Sequence, residues 1–103
     1  MSFNEETFDN FLYYVQKITD EYYEQYETQS CKITVKYGRK FAKIIKVTVP
    51  NGGTSVHSFV ELATGDVYKA ASWKAPAKHV RANIYDYESL KRGVSHHGAN
   101  YLV

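Results

Sequence analysis

At residue 31 the hydrophobic residues change their repeat, and that change decides the fold class. Over residues 3–27, Phe8, Phe11 or Leu12, Val15, Ile18, Tyr22 and Tyr26 recur three and four apart, so they lie on one stripe of a helix. Over residues 31–37, Ile33, Val35 and Tyr37 alternate with Lys32, Thr34 and Lys36, the period of a half-buried strand. A helix with one apolar stripe has to bury it, and a half-buried sheet offers the matching face. The expected fold is α+β: a long N-terminal helix packed on a four-stranded antiparallel meander, followed by a short, partly helical C-terminal region.

The local signals give the boundaries. Ser2 and Glu5 fit a capping box, and Glu5, Glu6 and Asp9 suit the positive end of the helix dipole. Helix propensity falls at residues 28–30. Gly38, Arg39 and Lys40 turn the chain into a second strand, residues 41–49, with Phe41, Ile45, Val47 and Val49 on the core face and Lys43 interrupting it at the margin. Pro50, Asn51, Gly52 and Gly53 form a turn. A third strand covers residues 55–62, with Val56, Val60 and Leu62 inward and His57, Phe59 and Glu61 outward. The hairpin at residues 63–66 puts Gly65 at a left-handed position, and a fourth strand runs from Val67 to about Trp73. Pro76 suits the first turn of a short helix through Lys78 and Val80. Asp86 caps a second helix over residues 87–92 that stops at Gly93. Residues 95–100 read as loop, and residues 101–103 as a terminal strand.

Composition limits what such a fold can be. The chain has 103 residues, 44% hydrophobic and 23% charged, which suits one folded domain over residues 1–103. No apolar run approaches the ~20 residues of a membrane span. The acidic N-terminus does not read as a signal peptide. The single cysteine, Cys31, cannot form an internal disulfide, which fits a reducing cytosol.

Net charge is only +2, but its distribution is uneven. Residues 1–30 hold seven acids against Lys17, a net of −6, and the remainder holds twelve bases against four acids, a net of +8. Such asymmetry points to an anionic partner for the basic part. The alternative is that helix and strands present solvated charged faces that partly neutralise each other.

Two stretches carry candidate chemistry. Residues 67–81 set the only tryptophan, Trp73, beside Tyr68, Lys74, Lys78 and Arg81. Trp73 could stack on a base while the cations hold phosphates; a lone tryptophan in a small domain also reads as a packed corner of the core. The second is the outer sheet face, where Lys32, Thr34, Lys36, Lys46, Thr48, His57, Phe59 and Tyr68 are expected to project. Aromatics among bases on an open sheet suit stacking and phosphate neutralisation, unless the C-terminal region folds over them. Ile44, also outward on this reading, favours some covering. The candidate ligand residues are thus Trp73, Lys74, Lys78, Arg81, Lys36, Lys46, Phe59 and Tyr68.

Catalytic and metal chemistry find little support. His79, His96, His97 and Cys31 lack the spacing of a zinc site. No phosphate loop, dinucleotide fingerprint or nucleophile elbow is present. The expectation is no cofactor, no metal and no catalytic residue.

The runs Ser55–Val60, Thr64–Lys69 and Ala70–Lys78, together with Gly38–Lys40, Asn83–Asp86 and the ending from Gly98 to Leu102, resemble a family of small proteins encoded by tailed bacteriophages. The similarity covers residues 33–103. It implies a protein of the host cytoplasm, made during infection, that handles nucleic acid or engages a host protein. The sequence therefore points first to a non-enzymatic binding module for single-stranded DNA or RNA. The alternative is an accessory protein that inhibits a host protein or sequesters a nucleotide-like ligand. An enzyme comes third, and no membrane partner is expected.

Overall fold

A computed structural model describes residues 4–26, 28–50, 52–95 and 98–99. Helix α1, Glu5–Tyr23, opens the chain. Its N-cap is Asn4, whose side chain accepts from the Thr7 N–H at 3.0 Å; the expected cap, Ser2, lies outside the described residues. The helix ends several residues before the expected boundary. Asp20, Glu21 and Glu24 crowd its C-terminal end, where the dipole disfavours negative charge, and no base stands in the last turn.

Five strands follow in simple sequence order: β1 Ser30–Tyr37, β2 Phe41–Val49, β3 Thr54–Glu61, β4 Asp66–Tyr68 and β5 Ala82–Asn83. All pair antiparallel. The expected four-stranded meander is thus present and gains a two-residue fifth strand on its far edge. Gly65 has φ +79, as the tight turn between β3 and β4 requires. The outer edge of β1 is covered at its start. The Gln16 amide of α1 donates to the Cys31 carbonyl and accepts from the Ile33 N–H, both at 2.9 Å. One helix side chain thereby stands in for a neighbouring strand at these two residues.

The pairing register assigns the faces. Val35 pairs with Ile44 and Ile44 with Ser58, while Tyr37, Ala42, Val60, Val67 and Ala82 form a continuous row. These residues face α1, and Ala42, Ile44, Val60 and Val67 are fully buried there with Phe8, Phe11 and Val15. Ile18, Ile33 and Val35 pack partly against this core, and Tyr22 is half-buried. Phe8 and Phe11 stack at 6.2 Å, each contributing about 1.5–3 kcal/mol on burial.

This register corrects the expected one in β2. Phe41, Ile45 and Val47 belong to the opposite face, and Ala42 and Ile44 fill the core instead. The periodicity misled because Lys43, treated as an interruption, is the residue in phase. A register shift between Ile44 and Ile45 also moves the facing of β3. His57 becomes the extra residue, so His57 and Ser58 are both buried and Val56 turns to the other side. His57, expected outward, is only 2% exposed. Its Nε2 lies 2.8 Å from the Ser95 carbonyl, which only accepts, so Nε2 carries the proton. In the neutral ring Nδ1 accepts from the Ser58 hydroxyl at 2.8 Å.

The C-terminal region packs on the helix side of the sheet. Helix α2, Tyr87–Gly93, is capped by Asp86, which accepts from the Ser89 N–H. Gly93 does not stop it through a left-handed residue; a Cβ there would sit 2.2 Å from the Arg81 carbonyl oxygen, so close packing demands glycine. Strands β6, Val94–Ser95, and β7, Gly98–Ala99, form a small hairpin where loop was expected. Ile84, Leu90, Val94 and Ala99 complete the core. The expected strand at residues 101–103 and the pair His96 and His97 lie outside the described residues.

Candidate functional site

The face of the sheet opposite α1 carries a row that combines rings and cations. Lys36 pairs with Lys43, Lys43 with Phe59, and Phe59 with Tyr68; Phe41 lies one step along, paired with Glu61. Alternation directs these side chains away from the core. Phe41 meets Phe59 and Tyr68 edge-on at 6.1 Å and 5.7 Å. The Lys43 ammonium lies 6.0 Å from the Phe59 ring centroid.

Residues 69–81 form an arm that reaches this row. The expected continuation of β4 to Trp73 and the expected helix at Pro76 are both absent. Instead Ala70 bridges Pro76, the Ala71 and Ser72 N–H groups donate to the Ala75 carbonyl, and the Ala77 N–H donates to the Lys69 carbonyl. Proline and a run of alanines between lysines give this segment no apolar stripe to bury as a helix. The arm places Trp73 over Lys43, ammonium to ring centroid 4.4 Å. Trp73 remains 45% exposed, so it is no corner of the core.

Between arm and sheet lies a groove of about 270 Å³ lined by Lys36, Tyr37, Gly38, Arg39, Lys40, Phe41, Lys43, Phe59, Lys74 and Pro76. Five of these ten residues are bases and none is an acid. The carboxylates of this face include Asp66, beside Tyr68 on β4, and Glu61, which accepts from the Tyr68 hydroxyl at 3.2 Å. Burial, then that hydrogen bond, raises the Tyr68 pKa.

The candidate residues divide. Lys36, Phe59, Tyr68, Trp73 and Lys74 come together at the groove and the ring cluster on its floor. Phe59 is 3% exposed and supports the site from beneath. Lys46 does not join them: it pairs with Ile33 on the helix side beside Cys31, where burial pulls its pKa down. Lys78 and Arg81 do not line the groove either. The Arg81 guanidinium donates to the Lys78 and His79 carbonyls, bracing a turn in which His79 has φ 72. Phe41, Lys43, Arg39 and Lys40 are site residues that periodicity missed. The available signal was Lys43 itself, a cation repeating in step with Phe41.

Elsewhere the chemistry is sparse. Among the described residues no three of His, Cys, Asp and Glu gather to hold a metal, and no helix is long and apolar enough to cross a membrane. A second groove, about 450 Å³, runs between α1 and α2 and is lined in part by Phe11, Tyr13, Tyr14, Tyr85, Tyr87 and Leu90. Cys31 is buried, and burial pushes its thiol pKa up against the pull of Lys46. Iodoacetamide at about pH 8 is therefore expected to leave native Cys31 unmodified and to label it after unfolding. Rapid stoichiometric labelling of the native protein would show that the start of β1 is open.

No curated protein and no solved structure matches the chain. The model of a family of unknown function, DUF7717, matches residues 4–99, and the chain belongs to that family.

Proposed function

We propose that this chain is a small non-enzymatic binding protein of the tailed-phage type, acting in the host cytoplasm, whose sheet face holds single-stranded DNA or RNA. The observation that carries this reading is the groove with five bases, no acid and an aromatic floor. Bases of the nucleic acid stack on Trp73 and the accessible edge of Phe41, while Lys36, Lys40, Lys43 and Lys74 neutralise phosphates. Trp73 and Lys43 already attract each other, so a phosphate and a base together replace one internal contact with two external ones.

Because Trp73 is the sole tryptophan, its fluorescence reports the site directly. Short poly-dT and poly-U strands at low salt are expected to quench it. Trp73→Ala is expected to weaken binding by ~1–3 kcal/mol and to leave the melting temperature nearly unchanged, since the ring is half exposed. Absence of quenching and of binding with both strands at low salt would end this reading. The groove between α1 and α2 would then favour the second: Tyr13 and Tyr87 are 71% and 58% exposed there, and exposed tyrosines suit a protein partner such as a host enzyme.

A further inference from the structure

Among the described residues no salt bridge joins the acids of α1 to the bases that line the groove, and Lys91 pairs with Glu88 inside α2. The acids of α1 point outward instead: Glu6, Asp9, Asp20, Glu21 and Glu24 are all exposed, and their spacing sets them on one stripe with Lys17 as its single base. Tyr13, 71% exposed, sits in the middle of that stripe. The basic groove lies on the other side of the sheet, so its charge and that of the stripe face opposite directions.

We propose that this chain associates head to tail with a second copy of itself, the acidic stripe of α1 in one copy seated on the basic face of the next. Charge complementarity selects this occupant. The two faces are opposite in their dominant charge: carboxylates around an exposed tyrosine on one, ammonium groups with exposed ring surface on the other, so both ion pairs and cation–π contacts form across the join. The charge pattern also disfavours the commoner two-fold dimer through either face, which would set like charge against like. A contact between two different patches is heterologous, so it propagates into short chains or closes into a ring. Its attraction is between solvent-exposed charges and falls as salt screens them. The proposal shares the basic face with the nucleic-acid reading but does not depend on it.

The test is sedimentation velocity of the full chain, freed of nucleic acid, at about 20 mM and about 300 mM salt. At low salt the mass is expected to rise with concentration to at least twice the monomer's 11.9 kDa, and to return to the monomer value at high salt. Glu21→Gln with Glu24→Gln blocks one face, and Lys36→Gln with Lys40→Gln blocks the other. Each double variant alone is expected to remain monomeric at low salt. Mixed in equal amounts they form a 1:1 dimer and nothing larger, because one intact face of each kind remains. Asp9→Asn with Asp20→Asn, and Arg39→Gln with Lys74→Gln, serve the same purpose should a first variant melt early. A wild type that stays monomeric at low salt, variants that assemble like wild type, or a mixture that stays monomeric would each overturn the proposal. None of these outcomes bears on the oligonucleotide titration, which has its own readout.

Discussion

Replacing Ile44 by alanine is expected to destabilise the protein by about 2–5 kcal/mol, the range for a large core aliphatic. Ile44 is 0% exposed and pairs with Val35 on one side and Ser58 on the other, directly beneath α1. Removing three of its carbons leaves a void that Phe8, Phe11 and Val15 cannot close without leaving their own positions. In a domain of this size that is a fall of roughly 10–30 °C in melting temperature. Ile45→Ala is the control. Ile45 is half-buried on the opposite face, and its truncation is expected to cost less than half as much. The two measurements together read the register of β2, because a one-residue slip exchanges the roles of adjacent residues. An Ile45→Ala protein less stable than Ile44→Ala would show that the sheet is turned over.

On the proposed single-strand reading, neutralising Lys36, Lys40 and Lys74 together is expected to remove most of the salt dependence of binding. Each phosphate contact on a single strand contributes about 0.7 to the slope of log K against log salt. Losing three lowers that slope by about 2. Wild type should therefore lose about 100-fold more affinity than the triple glutamine variant over a tenfold rise in salt. All three side chains are exposed, so folding should be unaffected, as a thermal melt would verify. The same change at Lys46, Lys78 and Arg81 serves as the contrast. These three lie outside the groove, and Arg81 is occupied with backbone carbonyls. Equal loss of slope from both triplets would mean that the whole basic surface, and not the groove, attracts the strand.

The two predictions rest on different parts of what could be read in advance. The helix, the boundaries of β1, β2 and β3 and the α+β class were legible because they depend on short-range periodicity. Phe8, Val15 and Val60 fall in the core as their spacing implies, and Asp86 caps α2 as its position implies. Gly65 turns the chain because few other residues tolerate its φ. A basic outer face containing Lys36, Phe59 and Tyr68 was legible for the same reason: strict alternation places them together.

What local pattern could not decide were the events that cross between elements. The shift between Ile44 and Ile45 follows from how β2 meets β3, and it buries His57 and turns Val56 to the other face, while Lys46 reaches the helix side because it alternates in step with the buried Ala42 and Ile44. Whether Trp73 joins the core depended on where residues 69–81 fold, and an alanine- and lysine-rich segment bends according to what it can rest on. It rests on Lys43 and the rings around it. By itself the sequence determined α1, β1 to β3 and α2, the acidity of the first thirty residues and the supply of cations and rings, since each is a matter of residue order over a few positions. Only the tertiary structure decided which of those cations share a groove, because register and arm placement are set by packing between segments far apart in the chain.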